Sequence, residues 1–322
     1  MPVTVETPLE KWTGKVREVT LGATRDQKGT RSKTVTVGGE TTLPFLHFEG
    51  SIPHPPVIAI EIQDSYPNDW SPVLLQAWGD TLKDPAEWAK KAESLGADLI
   101  MLRFRGVNAD GTETTGAQAA AVAKAVLQAT GLPLLVRGPG QAEKDNELLV
   151  AVAEAGAGER LALGLCEDKN YRTIVAAALA HGHLVINSTP IDVNLAKQLN
   201  ILVSDMQLEA DRILMDPTTG ALGYGLEYTY SVMERLRIAA LTGDSMTQMP
   251  MICFTGEESW RQKESKVGEG VPAAWGDWKR RGVLWETVTA VALLEAGADI
   301  VTLRHPDSVP IVRKAIEQLM AH

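Results

Sequence analysis

From about residue 57 onward, short runs of branched apolar residues alternate with longer stretches whose apolar positions recur at helical spacing. The runs predict strands at Val57–Ile62, Leu99–Phe104, Pro133–Arg137, Leu161–Leu165, Leu184–Asn187, Ile213–Asp216, Met251–Phe254 and Ile300–Leu303. The intervening periodicity predicts helices at Pro85–Leu95, Gly116–Thr130, Glu143–Ala155, Tyr171–Ala180, Asp192–Met206, Leu226–Leu241 and Leu284–Glu295, and a last one at Ser308–Met320. Ile201-Leu202-Val203 also has the look of a strand. However, Leu195, Leu199, Leu202, Val203 and Met206 fall at i, i+4, i+7, i+8 and i+11 and line one helical face, so the segment is assigned to a helix.

Eight strands joined by helical crossovers point to a closed (β/α)8 TIM barrel. An open doubly wound sheet uses the same helix–glycine–strand join, and the number of units favours closure. That join recurs: Ser94-Leu95-Gly96-Ala97-Asp98-Leu99-Ile100 returns as Glu295-Ala296-Gly297-Ala298-Asp299-Ile300-Val301, with a looser copy from Glu154 to Leu161. A left-handed glycine there ends each helix just before a buried strand.

Residues 1–56 have a different texture and are expected to form an N-terminal extension to a barrel spanning 57–322. Within it Lys15–Leu21 and Lys33–Thr42 alternate like the strands of a β-hairpin, joined by the polar stretch Thr24–Arg31. Two roles stay open for it: a cover over one end of the barrel, or a docking arm.

Composition narrows the function. Apolar residues make up 44% and charged residues 22%, as in an ordinary packed protein that needs no disulfide or metal staple. With 31 basic against 41 acidic side chains the net charge is −10, which disfavours nucleic acid and anionic membrane as partners. Two distant cysteines, Cys166 and Cys253, suit a reducing cytoplasm and are too few to hold an iron–sulfur cluster. The start, Met1-Pro2-Val3-Thr4-Val5-Glu6, lacks a basic and apolar leader pattern, and no apolar run approaches the ~20 residues of a membrane span. The expected location is the cytoplasm.

In such barrels chemistry sits in the loops after the strands' C-terminal ends. Here these loops are rich in glycine and hydroxyl residues and thin in acid–base groups: Asp64-Ser65, Arg105-Gly106, Gly138-Pro139-Gly140, Cys166-Glu167-Asp168, Ser188-Thr189-Pro190, Pro217-Thr218-Thr219-Gly220, Thr255-Gly256-Glu257 and Arg304-His305. His181 and His183 fall at a helix–strand turn on the opposite side and read as satisfied turn histidines; only His305 stands near a prospective ligand. No His-Glu-x-x-His, Cys-x-x-Cys, phosphate-loop or Gly-x-Ser-x-Gly pattern occurs, so neither a metal site nor a catalytic residue is assigned. Arg103, Arg105, Arg137 and Arg304 stand at strand ends, either as ligand-binding guanidiniums or as partners of Glu61, Asp64 and Glu257. Trp260, Trp275, Trp278 and Trp285 crowd the stretch after the seventh barrel strand, which is expected to be a long loop serving as an interface or lid.

One segment is far more specific than any of these: Arg212-Ile213-Leu214-Met215-Asp216-Pro217-Thr218-Thr219-Gly220-Ala221-Leu222-Gly223-Tyr224-Gly225-Leu226-Glu227-Tyr228, continuing through Ser231-Val232-Met233-Glu234-Arg235 to Gln248-Met249-Pro250-Met251. It resembles the small subunit of the corrinoid/iron–sulfur protein, a family related to the delta subunit of the archaeal acetyl-CoA decarbonylase/synthase complex. Glu61-Ile62-Gln63-Asp64, Gly182–Ser188 and Gly282-Val283-Leu284-Trp285-Glu286 extend the resemblance across nearly the whole barrel.

The resemblance implies a methyl carrier of the reductive acetyl-CoA pathway. In that family an obligate heterodimer holds a corrinoid (a cobalamin or cobamide), and the large subunit carries the 4Fe-4S cluster and a mobile corrinoid domain. The methyl group arrives from methyltetrahydrofolate through a separate methyltransferase and leaves to acetyl-CoA synthase/CO dehydrogenase. The small subunit is a pterin-methyltransferase-like barrel whose C-terminal face covers the corrinoid, with no turnover of its own. Cover residues are then expected among Asn187, Ser188, Thr189, Thr218, Thr219 and Tyr224 for the corrin's amide arms. The backbone from Gly220 to Gly225 would lie at the ring edge, with Arg103 and Arg137 nearby. This chain also lacks the Asp-x-His-x-x-Gly cobalt-ligand motif. The alternative is a free-standing pterin-dependent methyltransferase. Its acid or amide at the second and third strand ends is replaced here by Leu102-Arg103-Phe104-Arg105 and Val136-Arg137-Gly138.

Overall fold

A computed structural model describes residues 5, 7–108 and 111–321; Met1–Thr4 and Glu6, on which the reading of the N-terminal pattern rests, and His322 lie outside the described residues. Eight parallel strands close into a barrel: β3 (Val57–Gln63), β4 (Leu99–Arg103), β5 (Leu134–Arg137), β6 (Ala162–Cys166), β7 (Leu184–Ser188), β8 (Ile213–Asp216), β9 (Met251–Cys253) and β10 (Ala298–Leu303), with β10 pairing back onto β3. Ahead of them β1 (Val19–Leu21) and β2 (Val35–Val37) form an antiparallel hairpin. The (β/α)8 expectation holds, and each predicted barrel strand lies within two residues of the observed one.

The helices are α1 (Pro72–Trp78), α2 (Pro85–Ser94), α3 (Gly116–Ala129), α4 (Ala142–Ala155), α5 (Tyr171–His181), α6 (Val193–Asp205), α7 (Leu226–Leu241), α8 (Thr255–Arg261), α9 (Lys263–Lys266), α10 (Trp278–Glu295) and α11 (Ser308–Met320). Ile201–Val203 is helical, as its spacing indicated.

Two segments depart from expectation. Sequence periodicity missed α1, a short helix that Ser71 caps through Val73 N–H and that buries Leu74 and Trp78. The stretch after β9 is not a long loop: it folds into α8 and α9, and α10 begins at Trp278 rather than Leu284. Asp277 accepts the Arg280 N–H at 2.8 Å and caps that helix. Gly282 within α10 is required because a Cβ there would meet the Trp260 ring at 2.5 Å.

The hairpin strands are shorter than predicted, and their inward residues Val19, Leu21, Val35 and Val37 join one cluster with Val57, Leu99, Leu135, Ala162 and Leu184 at the starts of the barrel strands. The extension therefore covers the N-terminal end of the barrel. Two buried arginines fasten it. Arg31 donates to the carbonyls of Leu127, Thr130 and Leu132 and pairs with Glu159 at 2.9 Å. At the other anchor, Arg237 bridges Glu40 (3.3 Å) to Asp299 (2.9 Å). His183 is satisfied as expected, with Nδ1 accepting from Leu161 N–H and Nε2 facing the Ala153 carbonyl at 2.8 Å.

Candidate functional site at the barrel mouth

Side chains alternate along a strand, so the inward rows can be followed upward from the apolar floor. Ala59, Met101, Leu135, Ile186, Leu214, Phe254 and Ile300 pack inside the barrel. The next inward positions are Glu61, Gln63, Arg103, Arg137, Ser188, Asp216, Thr302 and Arg304, so the barrel changes from hydrocarbon to polar at its C-terminal mouth.

These groups pair with one another. Arg304 holds Glu61 through two bonds, Nε–Oε2 at 2.9 Å and Nη2–Oε1 at 2.6 Å, while Gln63 Nε2 donates to the same carboxylate at 3.0 Å. From above, α8 lowers Glu257 between two arginines: Arg103 Nη1 lies 2.8 Å from its Oε1, and Arg137 Nη1 bonds its Oε2. Burial pushes the Glu257 carboxyl up, but the guanidiniums of Arg137, Arg103 and Arg304 outweigh it and bring it down to about 2. The Arg137 guanidinium also sits 4.4 Å over the Phe254 ring. Arg103, Arg137 and Arg304 are thus ion-paired at the mouth with Glu61 and Glu257. Arg105, further out, pairs with Asp69 at 2.8 Å.

Beside this network Ser188 Oγ donates to Asp216 Oδ2 at 2.7 Å, and Asp216 Oδ1 accepts the Thr218 N–H at 2.9 Å. Complete burial raises the Asp216 carboxyl to about 6 against the pull of these donors. The 217–225 loop is built on that anchor. Thr218 sits at φ 62°, a left-handed conformation costly for a β-branched residue. Its hydroxyl is spent on the Thr189 carbonyl at 2.6 Å, tying the β7 and β8 loops together. Thr229 Oγ1 accepts the Gly220 N–H at 3.1 Å.

The other site candidates divide by position. Tyr224 projects from the loop tip, 83% exposed. Gly225 starts α7 with extended backbone, and a Cβ there would strike the Tyr228 ring at 2.6 Å. Thr219 is buried against the Cys253 thiol. Asn187 does not face the mouth: it points outward and donates to Asn200 Oδ1 on α6 at 2.8 Å. The strand's alternation, which sends Ile186 and Ser188 inward, is the signal that separates it from its neighbours. Glu257, Glu61, Gln63 and Asp216 were absent from the expected cover set, although strand alternation places all but Glu257 in the inward rows.

His305 is buried. Its Nδ1 accepts the Asp307 N–H, and its ring stacks on Trp260 at 5.7 Å. Trp278 donates to the Ser265 carbonyl, whereas Trp275 and Trp285 line an open groove of about 610 Å³ with Leu222, Leu226, Leu284 and Val288. Among the described residues no cluster of three or more His, Cys, Asp or Glu is placed to hold a metal ion, and no helix is long and apolar enough to cross a membrane.

The fold is a (β/α)8 barrel of the dihydropteroate synthase shape. The Xanthomonas albilineans enzyme with 4-aminobenzoic acid superposes with a TM-score of 0.56 at 15% identity, over 83% of this chain and 94% of that one. The Coxiella burnetii enzyme with pteroic acid gives 0.57 at 14%, over 94% and 98%. At such identities the likeness is one of fold alone. The sequence is more specific: residues 18–314 match the family of the CO dehydrogenase/acetyl-CoA synthase delta subunit. The acetyl-CoA decarbonylase/synthase complex subunit delta of Archaeoglobus fulgidus is 39% identical over 318 residues, 96% of this chain and 70% of that protein. The Methanopyrus kandleri subunit delta is 36% identical over 308 residues, 95% and 76% respectively. The chain belongs to the CO dehydrogenase/acetyl-CoA synthase delta subunit family.

Proposed function

We propose that this chain is the small subunit of a heterodimeric corrinoid/iron–sulfur methyl carrier in the acetyl-CoA pathway, and that its barrel mouth is a lid over the corrinoid. The observation that carries this reading is the Glu257 plug. The mouth is filled from within by the pairs Arg103–Glu257, Arg137–Glu257 and Arg304–Glu61, so it presents a rigid polar surface in place of an open catalytic cavity.

The residues present fit a corrinoid. Gln63 Oε1, Arg137 Nε and Thr189 Oγ1 are buried without hydrogen-bond partners around that surface, offering both donors and acceptors to carboxamide arms. When bound, a corrinoid supplies the cobalt that accepts and releases a methyl group. This chain's part is to exclude water and stray acceptors. Arg103, Glu257 and Arg137 hold a level surface, Thr218 fixes the two flanking loops, and Tyr224 reaches outward as a contact. The iron–sulfur cluster, the mobile corrinoid domain and the exchange with a methyltetrahydrofolate methyltransferase and acetyl-CoA synthase belong to the partner subunits. A free-standing pterin methyltransferase fits less well, because arginines with an internal carboxylate partner occupy the second and third strand ends.

Anaerobic co-purification tests the reading. The chain alone should be colourless, and its complex with the large subunit should show corrinoid and iron–sulfur absorption. A lone chain that retains corrinoid, or that turns over methyltetrahydrofolate, would overturn it.

A further inference from the structure

Beside the plugged centre, the C-terminal rim holds a cavity of about 360 Å³ lined by the loops after β6 and β7 and by one face of α6. Its composition is mixed in an ordered way. Leu195, Leu199 and Leu202 come from one face of α6 and form an apolar wall; Leu199 is buried, while Leu195 remains 42% exposed. Glu167 and Lys169 of the loop after β6 and Thr189 of the loop after β7 complete the lining.

Thr189 has one polar group left over. Its N–H donates to the Asp216 carbonyl at 3.1 Å and its carbonyl accepts from Thr218 Oγ1, whereas its own hydroxyl has no partner although the residue is only 8% exposed. A buried hydroxyl without a partner costs free energy that a ligand entering the cavity recovers, after a rotation about χ1 between staggered positions.

We propose that this cavity seats a short aliphatic chain ending in a primary carboxamide, the type of side arm that a corrin ring carries at its edge. The inference rests on the lid reading given above. The leucine wall takes the methylenes. The amide's N–H groups meet the Glu167 carboxylate and the Thr189 oxygen, and its carbonyl meets Lys169. The lip holds Glu167 and Asp168 against Lys169, so its negative balance rejects a carboxylate or phosphate end. An ammonium end would face Lys169, a like charge, where the amide carbonyl is accepted, and would lose hydration against the apolar wall. A volume of this order suits a ligand fragment.

The test uses the full chain and its large partner subunit under argon, with the partner empty, loaded with cobinamide bearing intact amide arms, or loaded with the analogue whose arms are methyl esters. Affinity is read by biolayer interferometry for the native chain, Leu202→Trp, which fills the cavity from a half-buried surface position, and the near-isosteric Thr189→Val. The native chain should bind the amide-loaded partner about tenfold more tightly than the other two forms. Leu202→Trp should abolish that preference and Thr189→Val reduce it about threefold, with affinity for the empty partner unchanged. If the native preference appears and both variants keep it, the seat lies elsewhere and this proposal fails while the lid reading stands. If the native chain does not distinguish loaded from empty partner, the lid reading fails and takes the seat with it. If Leu202→Trp weakens binding to the empty partner equally, the cavity belongs to the protein–protein contact, and the carboxamide assignment is wrong.

Discussion

Arg103, at the end of β4, and Glu257, on α8, lie 2.8 Å apart across the barrel mouth, and the same carboxylate also pairs with Arg137 of β5. One acid thus bridges two guanidiniums on neighbouring strands, with Glu61 and Arg304 completing the layer. Replacing Glu257 by Ala leaves both cations without their shared partner. The expected loss is about 2–4 kcal/mol, below the full buried-pair range because the Arg103 side chain keeps 21% of its exposure. A urea midpoint unchanged from the native chain would mean that water replaces the carboxylate at no cost.

Glu40 predicts a pH effect at the opposite end. Burial, reinforced by Asp299, raises its carboxyl from 4.5 to about 8 in spite of Arg237. The folded chain then keeps a proton that the unfolded chain has released, so stability should fall as pH rises from about 4.5 through about 8, and level off above. Glu40→Gln cannot ionise and should flatten that slope, gaining on the order of a few kcal/mol at pH 8 relative to the native chain. Parallel profiles of unfolding midpoint against pH for the two proteins would contradict the assignment.

The buried histidines act in the acid range with the opposite slope. Burial lowers both His183 and His305 from 6.5 to about 4, so there the unfolded chain binds more protons than the folded one. Their contribution should be complete above about pH 6.5 and disappear as pH falls through about 4, on the order of 3 kcal/mol each. Imidazole carbon-bound proton shifts followed by NMR should show neither ring charging at pH 5.5.

Thr218 carries both a strained φ and a bond to the Thr189 carbonyl. Thr218→Ala keeps the strain and loses the bond, costing about 1–2 kcal/mol, whereas Thr218→Gly relieves the strain and should cost less. Faster amide exchange around Ser188–Pro190 in both variants would locate the effect in the loop tie; a larger loss for Gly than for Ala would refute the strain argument.

Tyr224, at 83% exposure, supports nothing within the fold. Under the proposed lid reading, Tyr224→Ala should leave the unfolding midpoint within about 0.5 kcal/mol of native while weakening attachment to a corrinoid-loaded large subunit. Unaltered attachment would remove this loop tip from the lid.

The architecture was legible in the sequence because its signals are local. Short branched apolar runs, apolar positions at a period of 3.6 and the recurring helix–glycine–strand join are written within a dozen residues, and they located eight strands, the crossovers and even the helical character of Ile201–Val203. The family resemblance was equally local, concentrated from Arg212 to Met251. What tertiary structure alone decided depends on contacts between distant parts of the chain. Glu61 meets Arg304 across 243 positions and Arg137 meets Glu257 across 120, so the closing of the mouth from within appears only once the barrel exists. The hairpin's place under the barrel depends likewise on Arg31 and Arg237 reaching remote backbone and carboxylates. Asn187 and Ser188 are neighbours in sequence and face opposite layers: pairing fixes which side of a strand faces inward, and that parity sent one to α6 and the other to the mouth.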